Sequence, residues 1–286
     1  MLSRSARRRG SMLLYYLMLI VAIVVLLFPI VWMVSCAFKS YKAIYALPPE
    51  WIPKDPTFDN FRRIFFGDSQ RDPHFHEFFR NSMILSTSTA LLSTALGALA
   101  AYGFVRYPFR GSKALLLMIL GAQMFPGIVL LIPIYNQFSK WGLLDTYSGQ
   151  ILIYTVFNLP FPIWLLRGFY VTVPRELEDA SFIDGCNRLD ALLKVVLPIV
   201  KPGLVAVAVF TFLSSWDVFL ANLLLTSRIE MKNLPVGMTL QYVGEHIQQW
   251  GVLMAGCTVI TIPVILIFIL FQRYIVQGIA SGAVKG

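Results

Sequence analysis

The stretch DASFIDGCNRLDALLKVVLP, which runs from Asp179 to Pro198, is a polar interruption in a chain that is otherwise strongly apolar. Of the 286 residues, 57% are hydrophobic and 14% are charged, whereas soluble domains are about 45–50% apolar and about 25% charged. The composition therefore predicts a membrane protein. In such a protein, a polar segment of this length between two apolar runs indicates a connection outside the bilayer.

Apolar runs that could cross a bilayer lie on both sides of this stretch. A hydrocarbon core of about 30 Å requires roughly 20 apolar residues in a helix. Six runs qualify, and Asp217 is the only charged residue within them. The runs are 13–37, 81–105, 114–136, 147–166, 203–225 and 251–271. The predicted fold class is therefore all-α, a polytopic membrane protein with six transmembrane helices.

Basic residues favour one orientation for these helices. Basic segments are the N-terminal RSARRR, 106–113, 167–201 and the C-terminal tail. Six alternating spans place all four segments on one side, which the positive-inside rule assigns to the cytoplasm. The segment 38–80 also contains Lys and Arg and opposes the assignment mildly, but these residues are mixed with Asp and Glu. Both termini are therefore expected in the cytoplasm. The first apolar run exceeds the roughly 7–15 residues of a signal peptide, so we expect a membrane anchor rather than a cleaved leader.

Several classes of function are excluded by the motifs that the sequence lacks. It contains no GxxxxGK[ST] phosphate loop, no GxSxG and no HExxH. Apart from Asp217, the spans also lack the carboxylates and histidines that proton-coupled transporters use. Any energy for uphill transport must then come from a partner. The net charge of +9 follows from topology and predicts no nucleic-acid partner, and the three scattered cysteines predict no metal site.

The opening stretch itself predicts two short helices. Acidic residues from Glu176 onward favour a helix N-terminus, and Gly185 suits a left-handed stop. Asn187 would cap a second helix, which Pro198 would end. Two interpretations remain open at this point. The helices could form an amphipathic linker on the membrane surface, or a docking element for a cytoplasmic protein.

The stretch resembles the EAA motif of ABC importer permeases. Asp179-Ala180-Ser181 stands at the E-A-A positions, and Gly185 stands at the motif's glycine. The closing Leu197-Pro198 follows at the motif's spacing. Asp replaces Glu and Ser replaces the second Ala, so an acid and a small residue are retained.

The resemblance extends along nearly the whole chain and points to the maltose type of carbohydrate importers, in particular to the second permease subunit. The similar segments are RNSMILS (80–86), AAYGFVRYPFRG (100–111), IPIYNQFSKWGLLDT (132–146), LPFPIWLLRGFY (159–170) and FQRYIVQGIASGAVKG (271–286).

The resemblance implies the type I ABC importer permease fold, with a cytoplasmic coupling helix seated in a separate ATPase. A rigid helix can transmit the rigid-body movement that closure of the ATPase produces. Contact with the ATPase is thereby assigned to Glu178, Asp179, Ala180, Ser181, Asp184, Gly185, Leu197 and Pro198. The implied division of the chain is a basic cytoplasmic N-terminus (1–12), a first span (13–37), an outer loop (38–80), a transmembrane core (81–275) with the coupling region (174–198), and a cytoplasmic tail (276–286).

Polar residues within the spans are candidates for the substrate path. They are Asp217, Trp216, Asn222, Asn158 and Gln123. Asp217 could accept hydrogen bonds from sugar hydroxyls beside Trp216, or it could bond to Asn222 or Asn158 and join two helices. In maltose-type systems the partner permease holds most of the sugar contacts, so this chain's path could also lack a site.

The segment 226–250 resembles the outer loop that touches the solute-binding protein in such importers. The candidate contact residues are Gly237, Gly244, Gln248 and Gln249, and the alternative is a plain connecting loop.

The function predicted overall is that of a permease subunit in an ATP-driven importer of a sugar or oligosaccharide, not of an enzyme. The implied partners are a second permease, two ATPase subunits, an extracytoplasmic solute-binding protein, the sugar and membrane lipid. The chain itself is expected to bind no cofactor, with ATP and Mg on the partner ATPase. Its expected location is a bacterial or archaeal inner membrane. The alternatives are a permease for a polyol or glycerol-phosphate-like solute, and a membrane scaffold without transport.

Overall fold

The computed structural model describes residues 4–67, 74–244 and 247–283. Outside this range lie residues 1–3 of the predicted N-terminal segment, residues 284–286 of the predicted tail, and residues 68–73 and 245–246 of the outer segments. The chain divides into two compact units, which are described separately. The first comprises Met1–Pro73 and Met238–Thr261, and the second comprises His74–Gly237 and Ile262–Gly286.

Almost all of the regular structure is helical. The helices are α1 (Arg4–Ala37), α2 (Tyr41–Ile44), α3 (Asp59–Phe66), α4 (Phe75–Arg106), α5 (Ser112–Gly121), α6 (Gly127–Lys140), α7 (Tyr147–Asn158), α8 (Pro160–Thr172), α9 (Glu176–Ile183), α10 (Arg188–Asp190), α11 (Leu197–Trp216), α12 (Leu220–Leu225), α13 (Leu234–Tyr242) and α14 (Trp250–Ala283). Two short strands, β1 (Val243–Gly244) and β2 (Ile247–Gln248), pair antiparallel.

The first unit contains the membrane helix α1 and the short helices that follow it. The side chains from Met12 to Val31 are exposed on every face of α1, as expected of a helix surrounded by lipid. Its outer end is fixed to α3 by Asn60, whose Nδ2 donates to Ala37 O at 2.9 Å and to Lys39 O at 2.8 Å. Lys39 is buried, and its Nζ lies 3.9 Å from the centre of the Trp32 ring.

The second unit is built around α4. This helix packs against α7, α8 and α11, and small residues allow the close approach that membrane helices require. A Cβ added to Gly97 would lie 2.5 Å from Pro162 Cβ on α8. One face of α4 carries hydroxyl side chains at helical spacing that are buried in the bundle, namely Ser82, Ser86, Thr89 and Ser93.

Two of the predicted spans are bent at prolines. The run 114–136 was expected to be one helix, but α5 and α6 meet at 95°. The apolar run is therefore divided between two helices, because Phe125 adopts the extended conformation that a residue before proline prefers. Helices α7 and α8 meet at 50° where Leu159 precedes Pro160.

The polar stretch leads into α11 without the expected stop at Pro198. Helix α10, a π-helical turn (Ala191–Val196) and α11 form a continuous helical segment, Arg188–Trp216. The prediction that Pro198 ends a helix is therefore wrong. Because a π-helical turn precedes α11, the proline lies in the first turn of α11. A missing N–H is tolerated at that position. The cap by Asn187 is confirmed, since its Oδ1 accepts from Asp190 N at 2.9 Å.

The predicted span 203–225 ends early. Helix α11 stops at Trp216, and α12 begins at Leu220. The carbonyl of Val218, which the break leaves without a helical partner, accepts a hydrogen bond from Asn233 Nδ2. Among the described residues, four helices are long and apolar enough to cross a membrane, or up to six if each bent pair forms one span.

Candidate functional site

The inner face of α9 is fixed to α4 by a buried carboxylate. Glu178 is 5% exposed, and its Oε2 accepts from Tyr102 Oη at 2.6 Å. Arg106 Nε donates to Oε1 of the same carboxylate. Both α4 residues lie on its last turns, so α9 is held directly against the end of the central helix.

The charged pair is enclosed by further contacts. Arg106 Nη2 donates to Val173 O at 2.9 Å, in the segment between α8 and α9. The Tyr102 ring packs edge-on against Tyr170, with ring centroids 5.7 Å apart. Because the ion pair is buried, removing one partner would leave an uncompensated charge, which typically costs about 3–5 kcal/mol. The contacts therefore make α9 a rigid extension of α4 and α8.

The end of α9 is shaped by Gly185. Its φ is +84°, in the left-handed region that glycine adopts without strain. Gly185 N donates to Phe182 O at 3.1 Å and Cys186 N donates to Ser181 O at 3.0 Å, the two hydrogen bonds of a Schellman motif. The expected left-handed stop at Gly185 is therefore confirmed.

The outer face of α9 carries both acidic and apolar side chains. Asp179, Ala180, Phe182 and Asp184 are exposed, and Ile183 is 88% exposed. This face could bind another protein through both carboxylates and apolar side chains. It contains most of the residues that the motif resemblance assigned to partner contact.

Two of the residues assigned to ATPase contact face the helix bundle instead of the outer face. Glu178 and Ser181 are buried, and Ser181 Oγ donates to Glu178 O at 2.7 Å within the helix. Both side chains therefore pack α9 on the bundle, and their contact with a partner stays a prediction. Leu197 packs against the apolar cluster that contains Tyr102 and Tyr170, whereas Pro198 is exposed.

Asn222, a candidate for the substrate path, is instead the centre of a buried hydrogen-bond network. It has no exposed surface, and its Nδ2 donates to Gln150 Oε1 at 2.5 Å. Its Oδ1 accepts from Asn233 N at 3.0 Å. Its polar atoms thereby join α7, α12 and the segment before α13, and a role of Asn222 in the substrate path stays a prediction.

Trp216 is likewise a packing residue. It is 2% exposed, lies 5.5 Å from Phe212 in a stacked arrangement, and meets Phe79 edge-on at 5.9 Å. Its indole lies against these two rings, and a role of Trp216 in the substrate path stays a prediction.

Asp217 lies at the C-cap of α11 and is exposed. The described residues show no hydrogen bond between the Asp217 side chain and Asn222 or Asn158, and the role of Asp217 stays a prediction. Asn158 instead donates to Tyr154 O in its own helix, at 2.8 Å.

Gln123 and Asn158, the other two path candidates, lie together. Both line an open-sided cavity of about 280 Å³ within the second unit. Sequence reasoning missed its further polar residues, Thr211 and Ser214, although their i, i+3 spacing within the apolar run of α11 is a signal for a shared helix face.

The segment 226–250 is more structured than a connecting loop. Gly237 is buried, and a Cβ there would lie 2.4 Å from the Phe78 ring. Contact between Gly237 and a binding protein stays a prediction. Gly244 pairs with Ile247 and Gln248 pairs with Val243 in the β1–β2 hairpin. Gln249 lines a separate cavity of about 240 Å³ in the first unit.

Asp145 fixes the start of this segment, which sequence reasoning did not anticipate. Its Oδ1 accepts from Ser227 N at 2.7 Å and from Arg228 N at 3.0 Å. Nearby, Lys232 is buried and its Nζ donates to Thr226 O. Burial lowers the pKa of Lys232, and the Asp145 carboxylate opposes this shift.

No group of three or more His, Cys, Asp and Glu side chains in the described part of the chain could hold a metal ion. The features that remain are membrane helices, two of them bent around an uncharged cavity, and an anchored polar helix with one free face. These features are typical of a polytopic membrane protein.

Residues 93–281 match the family described as binding-protein-dependent transport system inner membrane component. The chain belongs to this family. It is a multi-pass inner-membrane protein, and family membership confirms the predicted class of ABC transporter permease rather than enzyme.

The chain is similar to curated permeases over most of its length. It is 37% identical to the trehalose transport system permease protein of Mycobacterium tuberculosis, covering 91% of this chain and 93% of that protein. It is 34% identical to the sulfoquinovosyl glycerol transport system permease protein of Agrobacterium fabrum, covering 91% and 89%. It is 33% identical to the diacetylchitobiose uptake system permease protein DasC of Streptomyces coelicolor, covering 91% and 92%.

A solved structure supports the fold. A chain of a bacterial ABC transporter involved in the import of the acidic polysaccharide alginate aligns with a TM-score of 0.80 at 23% identity. The alignment covers 96% of this chain and 99% of that chain. The predicted all-α importer permease fold is therefore confirmed.

Proposed function

We propose that this chain is one permease of an ATP-driven importer for a sugar or oligosaccharide, and that α9 docks it to the ATPase. The single observation that carries the docking proposal is the division of α9 into two faces. Glu178 locks the inner face to α4, and the outer face presents Asp179, Ile183 and Asp184 to a partner.

This arrangement is suited to mechanical coupling. A displacement applied to the outer face of α9 passes to α4 through the Glu178 carboxylate and to the end of α8 through Arg106 and Val173. Movement would then proceed as rotation of packed helices rather than as deformation of a loop.

The sugar assignment rests on the relatives and on the charge of the spans. The related permeases named above serve trehalose, diacetylchitobiose and sulfoquinovosyl glycerol. The apolar runs of this chain contain no Lys or Arg, which a phosphorylated solute would be expected to require.

The remaining partners complete the proposed assembly. It contains a second permease, two ATPase subunits that hold ATP and Mg, and an extracytoplasmic solute-binding protein. The termini and α9 lie in the cytoplasm. The part of the outer segment suited to the binding protein is the β1–β2 hairpin with Gln249, because the residues from Met231 to Val236 are largely buried.

The test is affinity purification of a tagged chain from its native membranes, followed by mass spectrometry. We expect a P-loop ATPase and a second multi-span permease. The variant Ile183→Glu should lose the ATPase and retain the second permease, because it charges the exposed face of α9. The control Ile52→Glu changes an isoleucine that is 82% exposed outside α9 and should retain both. Purification of the wild-type chain without a P-loop ATPase would contradict the proposal.

A further inference from the structure

The cavity beside α7, α8 and α11 contains a buried hydroxyl that has no partner. Thr211 is 1% exposed, it lines the cavity, and its Oγ1 has no hydrogen-bond partner among the described residues. Other buried Ser and Thr hydroxyls of the bundle also have no partner among the described residues, and Thr211 is the one of them that lines this cavity. Thr258 differs, since it donates to Met254 O at 2.8 Å within α14. A buried hydroxyl without a partner is unfavourable, so the Thr211 hydroxyl is available for a ligand.

Other polar groups in the cavity are also available. Asn158 uses Nδ2 within its helix, which leaves Oδ1 as an acceptor with no partner in the described structure. Gln123, at the bend between α5 and α6, and Ser214 on α11 line the same cavity and are exposed. Together the four side chains offer both donors and acceptors, and all four are uncharged.

The rest of the lining is aromatic. Phe157, Phe161 and Phe210 border the cavity, and the rings of Phe161 and Phe210 meet edge-on at 5.7 Å. Amides and hydroxyls beside aromatic rings suit a sugar ring, which has hydroxyl groups at its edge and an apolar C–H face.

The uncharged lining and the nearby Asp217 favour a neutral solute over an anionic one. None of its described lining residues is charged. Asp217 follows Ser214 by three positions, so helical spacing places it on the same face one turn further along. A carboxylate at that position would repel an anionic solute and accept hydrogen bonds from a neutral one.

The size of the cavity fits a single ring. Its volume of about 280 Å³ is close to the lower limit of about 300 Å³ for small-molecule sites. A neighbouring cavity of about 460 Å³ shares Gln123 and Phe157 with it.

We propose that this cavity is a subsite for one ring of a neutral saccharide, so that this chain itself contacts the solute during translocation. The proposal rests on the proposed function. It assigns binding to Gln123, Asn158, Thr211 and Ser214, with the phenylalanine rings as the apolar wall.

The test uses uptake of radiolabelled maltose, trehalose and diacetylchitobiose by intact native cells that carry chromosomal variants. Thr211→Val removes the hydroxyl at nearly constant volume and breaks no bond within the protein, so the fold should be retained. Gln123→Met removes the amide. For the transported sugar, each variant should lower the maximal rate about fivefold, the effect of one lost neutral hydrogen bond. The half-saturating concentration should not change, because the external binding protein captures the sugar first.

The control Thr258→Val removes a hydroxyl that is used within α14, and it should transport at the wild-type rate. A second measurement uses Ser214→Cys in a chain without other cysteines, labelled by a maleimide in the purified complex. The transported sugar should slow this labelling and should not slow labelling of Ser148→Cys, an exposed site outside the cavity.

The outcomes separate the two proposals. The subsite is overturned if Thr211→Val and Gln123→Met transport at the wild-type rate and sugar does not protect Ser214→Cys. In that case, ATPase co-purification and wild-type uptake leave the proposed function intact. If no sugar of the panel enters wild-type cells faster than cells lacking the chain, the sugar function fails and the subsite fails with it.

Discussion

Tyr102 Oη donates a hydrogen bond of 2.6 Å to Glu178 Oε2, which links residues 76 positions apart in the chain. The bond joins the last turns of α4 to α9. Arg106 donates to the other oxygen of the same carboxylate, so one buried acid receives two donors from adjacent turns of one helix. This relationship makes α9 part of the helix bundle rather than part of a loop.

Loss of the Glu178 charge should therefore destabilise the protein. We expect Glu178→Gln to reduce the free energy of unfolding by about 3–5 kcal/mol, because Arg106 would be left buried without its counter-ion. The control Asp179→Asn alters the neighbouring exposed acid and should change stability by less than about 0.5 kcal/mol. Thermal unfolding of the purified variants in detergent measures both. Equal melting temperatures for the two variants would contradict a buried ion pair.

Gly185 should tolerate only residues that adopt positive φ. We expect Gly185→Val to insert into the membrane but to lose solute uptake, because the left-handed conformation costs a β-branched residue about 1–2 kcal/mol and the turn after α9 would change. Gly185→Asn should retain most of the uptake, since asparagine enters this region more readily. The two variants need to be compared at equal membrane levels, and wild-type uptake by Gly185→Val would exclude a role for the turn in coupling.

Substitution of Asn222 should reduce the yield of folded protein, whereas substitution of Asp217 should not. Asn222→Ala would leave Gln150 Oε1 and Asn233 N without their buried partner, at a cost of about 1–3 kcal/mol for each unsatisfied group. Asp217→Asn changes an exposed cap and should leave folding intact. The measurement is the yield of monodisperse protein after extraction. A larger loss for Asp217→Asn than for Asn222→Ala would contradict the network.

The orientation can be tested with two engineered cysteines in a chain that lacks Cys36, Cys186 and Cys257. A membrane-impermeant maleimide should label Ile52→Cys in spheroplasts and Ile183→Cys only in inverted vesicles. Both positions are more than four-fifths exposed, so differences in labelling report the side of the membrane. Labelling of Ile183→Cys from the outside would reverse the proposed topology.

The sequence was most informative where the physical signal was local. Gly185 and Asn187 were both predicted in their observed roles, because left-handed stops and helix caps depend on a few adjacent residues. The apolar runs likewise identified the membrane helices, since length and composition alone decide whether a helix can cross a bilayer.

What the sequence could not supply was which face of a helix is buried. Glu178 and Asp179 are adjacent acids, yet only Glu178 meets Tyr102 and Arg106, which lie more than 70 positions earlier. Asn222 and Asn158 were equivalent as polar residues in apolar runs, but tertiary contacts bury the first and place the second beside a cavity. Such distinctions depend on long-range packing, which residue spacing within one helix does not encode.

The central claim is that the exposed face of α9 docks an ATPase, and photo-crosslinking tests it most directly. A benzoylphenylalanine placed at Ile183 should form a covalent adduct with a P-loop ATPase in native membranes, identified by mass spectrometry, whereas the same group at Ile52 should not. If the group at Ile183 reacts only with lipid or with nothing, while the ATPase still co-purifies with the chain, then α9 is a membrane-surface linker and docking occurs elsewhere.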